Sequence, residues 1–424
     1  MIDITKLYCG THSQGDFIRY GSKESSHSLI GGRKVPKAAG ERRPVTVWNS
    51  TRTCNLSCIH CYTDSEKKSY PKELSTEEAK SMLDDLANFE IPALLISGGE
   101  PLMRKDLFEL VSYAVSLGIR PTLSTNGTLI TKEIAQKIKD SGFTYVGISL
   151  DGIGETNDKF RGEKGAFKKA MNGFRNCVNV GQRVGLRMTL TRQNYDDLPK
   201  IFDFIEREGI NRACFYHLVY SGRGVNISTD DLSYQESRTA MDIILERTED
   251  FYNRGLQREI LTVDNHVDGV YLYMKLKHKF DQRAKKVLEL LEWNGGGAFS
   301  SGVGIGNIDF EGNVHPDQFW MHYTLGNIRE RKFSEIWMDT SNPLMAGLKN
   351  KKAYIKGRCS QCKWLDACGG SLRVRADLVY NDPWAPEPSC YLTDEEIGLT
   401  EEDKKELISK GEVFNLPAYL TRKT

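Results

Sequence analysis

The chain has 424 residues, which is enough for one large catalytic domain with additions or for two domains. Hydrophobic residues make up 39% of the chain, and 58 Lys and Arg residues nearly balance 57 Asp and Glu residues. This composition excludes a disordered chain and a general nucleic-acid-binding surface. No apolar stretch reaches the length of a membrane span and the first residues lack a signal-peptide pattern, so we expect a cytoplasmic protein.

The predicted elements begin after residue 42, because residues 1–42 show little periodicity and predict an irregular N-terminal extension. Six β-type stretches then alternate with amphipathic helical patterns, a signature of repeated βα units around a parallel sheet. This alternation predicts an α/β fold with a partial (βα)6 TIM-like barrel over residues 43–220. The predicted strands are residues 45–49, 93–97, 121–124, 145–150, 185–190 and 213–218.

Residues 221–300 predict a helical connector, in which Ser233 and Glu236 form a capping box for a helix that ends near Arg254. A Lys-rich pattern predicts one further helix over residues 271–293. Beyond it, residues 305–310 and Val314 flank the turn sequence Glu311-Gly312-Asn313 and predict a short hairpin. Residues 301–424 are therefore expected to form a small C-terminal module, which carries the second of two cysteine groups.

The first cysteine group follows the first predicted strand directly. Cys54, Cys58 and Cys61 have the spacing C-x3-C-x2-C, which lets one loop hold three corners of a cubane iron–sulfur cluster. A structural site would normally complete its ligand set, whereas a catalytic metal keeps one position open for a substrate. A zinc site completed by His60 or by a remote cysteine is the alternative.

Polar and glycine-rich motifs end the next three predicted strands, and in a βα barrel these strand ends build the site. Glycines let the backbone approach a ligand closely, while Ser, Asn and Glu offer hydrogen-bond partners for amine and ribose groups. The motifs therefore predict one shared binding site. They are Ser97-Gly98-Gly99-Glu100-Pro101, Ser124-Thr125-Asn126-Gly127 and Ser149-Leu150-Asp151-Gly152.

Together, the cysteine spacing and the GGEP strand end resemble the radical S-adenosylmethionine (radical SAM) superfamily. The resemblance implies that the first cysteine group holds a 4Fe–4S cluster whose open iron chelates S-adenosylmethionine, the source of a 5′-deoxyadenosyl radical. It assigns the methionyl amine to Gly98, Gly99 and Glu100, and the ribose or carboxylate to Ser124, Asn126 and Ser149. Arg187 could pair with the carboxylate, as could Arg161, although a structural role is open for both.

The second cysteine group comprises Cys359, Cys362 and Cys368, with the spacing C-x2-C-x5-C, and Cys390. Four thiolates can close a complete site, and a zinc knuckle is one reading of them. The spacing resembles the core of SPASM/twitch extensions of radical SAM enzymes. Because the further cysteines of the full SPASM pattern are missing here, the resemblance implies one auxiliary 4Fe–4S cluster held by all four thiols. The remaining Cys177 and Cys214 are expected in the core, and Cys9 has no predicted partner.

Residues 4–10, 43–49 and 312–320 resemble radical SAM enzymes that trim siroheme-derived tetrapyrroles. This group includes deacetylases of the AhbC type, which convert 12,18-didecarboxysiroheme to iron-coproporphyrin III, and NirJ-type enzymes, which remove propionate side chains. The resemblance implies an anaerobic haem-biosynthesis enzyme, an iron tetrapyrrole substrate and a small electron donor such as ferredoxin or flavodoxin. His60, His315 or His322 could bind the substrate iron. A peptide-modifying SPASM enzyme and a non-catalytic iron–sulfur electron carrier remain the alternatives.

Overall fold

The computed structural model describes residues 1–11, 29–30, 33–34, 42–294 and 300–422. The strands in these ranges are β1 Ile2–Asp3, β2 Leu29–Ile30, β3 Arg33–Lys34, β4 Val45–Thr51, β5 Leu94–Gly98, β6 Pro121–Thr125, β7 Tyr145–Ser149, β8 Val184–Leu190, β9 Arg212–His217, β10 Glu259–Val263, β11 Ile305–Ile308, β12 Asn313–His315 and β13 Gly326–Asn327.

The helices are α1 Ile4–Cys9, α2 Thr76–Asn88, α3 Leu107–Ser116, α4 Lys132–Asp140, α5 Glu155–Arg161, α6 Ala166–Asn179, α7 Leu198–Arg207, α8 Tyr234–Asn253, α9 Val267–Lys279, α10 Asp281–Asn294, α11 Phe333–Met338, α12 Pro343–Lys349, α13 Leu365–Cys368, α14 Arg373–Tyr380, α15 Asp394–Ile397, α16 Glu401–Ser409 and α17 Ala418–Thr421. In the part of the chain that the structure describes, none of them has the length and hydropathy of a membrane span.

The chain divides into two compact units. The first, which we call the barrel unit, consists of Arg43–Asp230 and Gly302–Ala346. The second unit consists of Met1–Arg42, Asp231–Ser301 and Gly347–Thr424. Most of the predicted N-terminal extension lies outside the described residues.

Six parallel strands form the body of the barrel unit, in the order β4-β5-β6-β7-β8-β9. Strand interiors such as Leu94, Ile96 and Val146 are fully buried because helices cover a parallel sheet. The connecting helices have the predicted ends; α2, for example, starts at a complete capping box between Ser75 and Glu78. The expected α/β fold with six βα units is confirmed, and each predicted strand matches an observed strand to within one or two residues.

A seventh parallel strand joins this sheet at the edge of β4. Strand β11 pairs with β4 in parallel, and the side chain of Asn307 donates a hydrogen bond to the Val47 carbonyl at 3.0 Å. Strands β12 and β13 continue the sheet in antiparallel pairs, so the predicted hairpin is confirmed. Gly302–Ala346 therefore packs with the barrel, whereas the sequence places the start of the C-terminal module at residue 301.

The second unit shows two departures from the predicted elements. The start of the chain is regular rather than irregular: β1 pairs with β10, and Asp3 caps α1 by accepting a hydrogen bond from the Lys6 amide at 2.9 Å. The single helix predicted over residues 271–293 is two helices, because the backbone of Phe280 is not helical and Asp281 starts α10 with an ion pair to Lys285 at 2.8 Å.

Candidate active site and second cysteine cluster

The first cysteine group lies on the loop that follows β4. Cys54 and Cys58 are buried and Cys61 is partly buried, and the three pack into one cluster with Leu56. Burial raises the pKa of Cys54 to about 12, and the nearby acidic groups Glu100, Cys58 and Cys61 add to this shift. Three such thiolates are stable side by side only when a cation neutralises them, which is what an iron–sulfur cluster provides.

The GGE sequence after β5 is bonded to the start of this loop. The Gly99 amide donates to the Thr51 carbonyl at 2.7 Å, and the Glu100 amide donates to the Thr53 carbonyl at 2.9 Å. A Cβ atom on Gly99 would lie 2.3 Å from the Thr53 oxygen, and one on Gly98 would lie 2.4 Å from the Thr51 oxygen. The close approach that requires these glycines is therefore made by the protein's own backbone.

Two further segments hold the loop from other directions. The amides of Ser57 and Ile59 donate to the carbonyls of Arg161 and Phe160, at 3.3 and 3.0 Å. The Arg223 amide donates to the Cys61 carbonyl at 2.9 Å, and its Nε donates to the Cys58 carbonyl at 2.8 Å. The loop is thus shaped by the protein itself, which favours a preorganised ligand set.

The buried guanidinium of Arg161 contacts this loop. Arg161 donates a hydrogen bond to Cys58 Sγ at 3.6 Å and pairs with Asp151, whose Oδ2 lies 3.2 Å from His60 Nε2. Burial opposes the ionisation of Asp151, but Arg161 and His60 outweigh it and lower its pKa to about 2. Arg161, a candidate for the nucleotide carboxylate, thus contacts a cysteine and an aspartate of the protein itself. Sequence pattern alone includes Asp151 only as a member of a strand-end motif, and it gives Arg223 no role.

The structure brings the predicted strand-end residues to one edge of the sheet, on neighbouring strands. Arg187 on β8 pairs in register with Ser149 on β7, and it donates hydrogen bonds to Ser124 on β6 and to the Tyr216 hydroxyl. The distances to Tyr216 are 2.8 Å from Nε and 2.6 Å from Nη2. Arg187 is therefore fixed by hydroxyl groups, with no carboxylate partner among the described residues.

Glu100 and Asn126 belong to a network that links the strand-end loops. The Glu100 carboxylate accepts hydrogen bonds from the Thr125 hydroxyl and the Asn126 amide, both at 2.8 Å. Burial raises the pKa of Glu100 to about 7. The Asn126 side chain donates to Asn55 at 2.8 Å, which connects this network to the cysteine loop.

The second cysteine group lines a cavity in the second unit. This cavity, about 410 Å³ including its mouth, is bordered by Cys359, Cys362, Cys368 and Cys390 together with Arg358 and Trp364. Burial raises the pKa of Cys362, Cys368 and Cys390 to about 12. Four thiols around one space fit an iron–sulfur cluster.

A buried ion pair positions the two segments that carry Cys368 and Cys390. Glu387 accepts hydrogen bonds from the Leu372 amide at 3.0 Å, from the Ser389 amide at 3.1 Å and from Arg375 at 2.9 Å. Arg375 also donates to the Asp264 carbonyl at 2.9 Å. These bonds tie the segment that follows Cys368 to the segment that precedes Cys390.

The other candidate residues are not gathered into either site. His315 is buried in the hairpin, where its two ring nitrogens lie 2.8 Å from the Tyr323 carbonyl and 3.4 Å from Asp309. His322 is exposed. Cys9, Cys177 and Cys214 are buried, and Cys9 lies 3.8 Å from the Thr248 carbonyl.

Comparisons with known proteins agree with this geometry. The chain matches the radical SAM superfamily over residues 48–205 and the SPASM iron–sulfur cluster-binding domain over residues 304–363. It is 55% identical to the Fe-coproporphyrin III synthase of Methanosarcina barkeri, over 95% of this chain and 100% of the relative. It is 44% identical to the pre-heme d1 synthase of Dinoroseobacter shibae, over 85% and 89% of the two chains.

Among solved structures, Streptococcus suis SuiB bound to its precursor peptide SuiA superposes with a TM-score of 0.65. It is 18% identical, with 83% of this chain and 76% of that chain covered, and it therefore shows the fold alone. Fold and site define a radical SAM enzyme that uses S-adenosylmethionine, a 4Fe–4S cluster and additional iron–sulfur chemistry. Within that class, the chain belongs to the radical SAM enzymes of haem biosynthesis.

Proposed function

We propose that the chain removes two acetate side chains from 12,18-didecarboxysiroheme and so forms iron-coproporphyrin III. The observation that carries this proposal is the 55% identity to an Fe-coproporphyrin III synthase along the whole of that relative. The 44% identity to a pre-heme d1 synthase supports a second candidate function, the removal of propionate side chains.

We assign the radical-generating cluster to Cys54, Cys58 and Cys61. Their burial, their mutual electrostatic effect and the preformed loop support this assignment. When bound, this cluster would donate one electron to S-adenosylmethionine and release the adenosyl radical that takes a hydrogen atom from the substrate. The protein's part is to fix the ligand loop, orient the nucleotide and exclude water.

The nucleotide would lie along the edge formed by the ends of β5 to β8. Gly98 and Gly99 offer backbone groups to the methionyl amine, and Ser124, Asn126 and Ser149 offer side chains to the ribose or carboxylate. Arg187 would face the carboxylate, since its described hydrogen-bond partners are uncharged hydroxyl groups that leave its positive charge unbalanced. Glu100 supports the site by holding the loop after β6, and contact with the amine is its second expected role.

The auxiliary 4Fe–4S cluster would be held by Cys359, Cys362, Cys368 and Cys390. All four border one cavity, and thiolate donors suit iron–sulfur clusters. Because four thiols can satisfy all four irons, we expect this cluster to transfer electrons rather than to bind S-adenosylmethionine. The partner that reduces the first cluster would be a small ferredoxin or flavodoxin, and the reducing cytoplasm is the compartment that keeps such thiols available.

The decisive test is an anaerobic reaction with reconstituted clusters, a reductant, S-adenosylmethionine and 12,18-didecarboxysiroheme, followed by mass spectrometry of the tetrapyrrole. Loss of two acetates supports the proposal. Loss of propionates supports the second candidate, and an unchanged tetrapyrrole beside active S-adenosylmethionine cleavage contradicts both. Cys54→Ala should abolish that cleavage, whereas Cys362→Ala should retain part of it without forming product. Cys177→Ala, a buried cysteine outside both groups, is the matched control.

A further inference from the structure

A positive charge borders the cavity of the second cysteine group. Among the described residues that line this cavity, Arg358 is the one cationic side chain. The acidic side chain on the lining, Glu387, already accepts hydrogen bonds from Arg375 and from two backbone amides. Valine, leucine and isoleucine side chains make up much of the remaining lining. The charge of Arg358 therefore acts in surroundings of low polarity, where charges interact strongly.

The guanidinium of Arg358 is held between two segments that carry cysteines. Its backbone belongs to the short 3-10 turn Gly357–Cys359, so it directly precedes the first cysteine of the group. Its Nη2 atom donates a hydrogen bond to the Leu392 carbonyl at 2.6 Å, two residues after Cys390, and lies 3.3 Å from Asp394 Oδ1. These contacts fix the guanidinium relative to the cysteines at both ends of the group.

One donor of Arg358 is left over by these contacts. Its Nε atom is buried and has no hydrogen-bond partner among the described residues. Burial lowers the pKa of the guanidinium, but the charges of the Cys390 and Cys359 thiolates, followed by Asp394 and Tyr234, outweigh it and raise that pKa. The side chain thus lies close to two of the four thiols. Buried donors are nearly always paired, so an unpaired N–H on a residue that borders this cavity indicates an acceptor inside it.

We propose that Arg358 donates a hydrogen bond from Nε to a sulfur atom of the auxiliary 4Fe–4S cluster and thereby raises the reduction potential of that cluster. The inference rests on the proposed function, which assigns this cluster to the four cysteines. A cluster held by four thiolates is negatively charged, and reduction adds one more negative charge. A fixed cation and a hydrogen bond to sulfur both stabilise the reduced form more than the oxidised form. Arg358 would so offset the apolar lining, which by itself disfavours the added charge.

The first part of the test uses holoenzyme in which only arginine is labelled with ¹⁵N. After anaerobic reduction, added S-adenosylmethionine changes the EPR signal of the first cluster and so distinguishes it from the signal of the auxiliary cluster. Pulsed ENDOR on the auxiliary signal should detect a ¹⁵N coupling in the wild-type protein. Arg358→Met, which nearly keeps the length of the side chain but has neither charge nor N–H donor, should lose this coupling.

The same variant should make the auxiliary cluster harder to reduce. An anaerobic redox titration followed by EPR should show at least a tenfold smaller equilibrium constant for its one-electron reduction, which corresponds to a midpoint potential lower by about 59 mV. Arg254→Met is the matched control, because Arg254 lies in the same unit, pairs with Asp250 at 2.9 Å and is not among the described residues that border the cavity. This control should change neither the coupling nor the potential.

A role limited to holding the Leu392 carbonyl predicts a lower melting temperature for Arg358→Met with an unchanged potential. That result would overturn the proposal, as would a ¹⁵N coupling that persists in Arg358→Met or is absent from wild-type protein with an intact auxiliary cluster. If Arg358→Met does not retain the cluster, Arg358→Gln replaces it, since its amide can still donate to a carbonyl but carries no charge. Wild-type protein without a second cluster would instead contradict the proposed assignment of the four cysteines.

Discussion

The guanidinium of Arg161 donates a hydrogen bond to Cys58 Sγ at 3.6 Å while it pairs with the buried carboxylate of Asp151. If Cys58 holds an iron, this bond places a fixed positive charge beside a ligand thiolate. A reduced cluster carries one more negative charge than an oxidised one, so the arginine stabilises the reduced form. Asp151 then acts as a positioning residue that keeps Arg161 in place.

Arg161→Met should therefore lower the midpoint potential of the first cluster. Hydrogen bonds to charged groups contribute about 1.5–3 kcal/mol. We therefore expect the midpoint potential to shift by on the order of 60 mV, which is a tenfold change in the equilibrium constant for a one-electron reduction. An anaerobic redox titration followed by EPR measures it. Arg175→Met, an exposed arginine paired with Glu208, is the control and should change nothing.

An intact cluster in Arg161→Met with an unchanged potential would show that Arg161 only supports the loop. A pure loss of iron would lead to the same conclusion. The two roles are thus separated by comparing the iron content with the potential.

Gly99→Ala should disrupt the first cluster site. The added Cβ would lie 2.3 Å from the Thr53 carbonyl oxygen and 2.7 Å from that of Arg52, and both are backbone atoms that cannot rotate away. We expect a loss of about 1–3 kcal/mol in the free energy of unfolding and an enzyme that lacks the iron of its first cluster but keeps the second. Iron analysis and EPR measure this.

Gly118→Ala is the control for that substitution. Gly118, unlike Gly99, has a positive φ, 82°, and a Cβ atom there meets nothing within 4 Å. This substitution should introduce backbone strain but should not lower the iron content. Equal iron loss in both variants would mean that general destabilisation, and not the contact with the cysteine loop, empties the site.

Much of the barrel could be predicted from sequence because its β-type stretches alternate with amphipathic helical patterns, and several of them end at glycine or polar motifs. Strand β6, for example, starts at Pro121 as predicted and ends one residue later. The parallel pairing of β11 with β4 could not be predicted. It joins residues some 260 positions apart through backbone hydrogen bonds, and neither segment carries a local signal for its partner.

In the candidate site, too, the sequence predicts some features and does not reveal others. The cysteine spacing identifies which residues carry the chemistry, but it does not reveal that Gly99 packs against Thr53 or that Arg161 contacts Cys58.

Glu387→Gln should selectively weaken the second cysteine site. Both partners of the Arg375–Glu387 pair are fully buried, and removing one charge from a buried pair costs about 3–5 kcal/mol because the other charge is left uncompensated. We expect loss of the auxiliary cluster and a lower melting temperature, with the first cluster retained. Asp366→Asn is the matched control, since its exposed pair with Lys352 should contribute less than about 1 kcal/mol. Equal loss of both clusters would contradict a local role for Glu387.

The buried imidazole of His266 should make the stability of the protein depend on pH. Burial, the amino terminus, Lys351 and Arg375 all lower its pKa in the folded protein, whereas the unfolded chain binds a proton near pH 6.5. Below that value only the unfolded state gains the proton, so the folded state loses about 1.4 kcal/mol for each further pH unit. The contribution of this group to the free energy of unfolding is therefore fully present above pH 6.5 and decreases towards pH 5.5.

His266→Gln removes this titration, so its melting temperature should fall less than that of wild-type protein between pH 7.5 and 5.5. His278→Ala, whose imidazole is exposed, should follow the wild type across the same range. Anaerobic melting curves with both clusters present give the comparison. Parallel pH profiles for wild type and His266→Gln would mean that the imidazole has the same pKa in the folded protein as in the unfolded chain, and would contradict the lowered pKa.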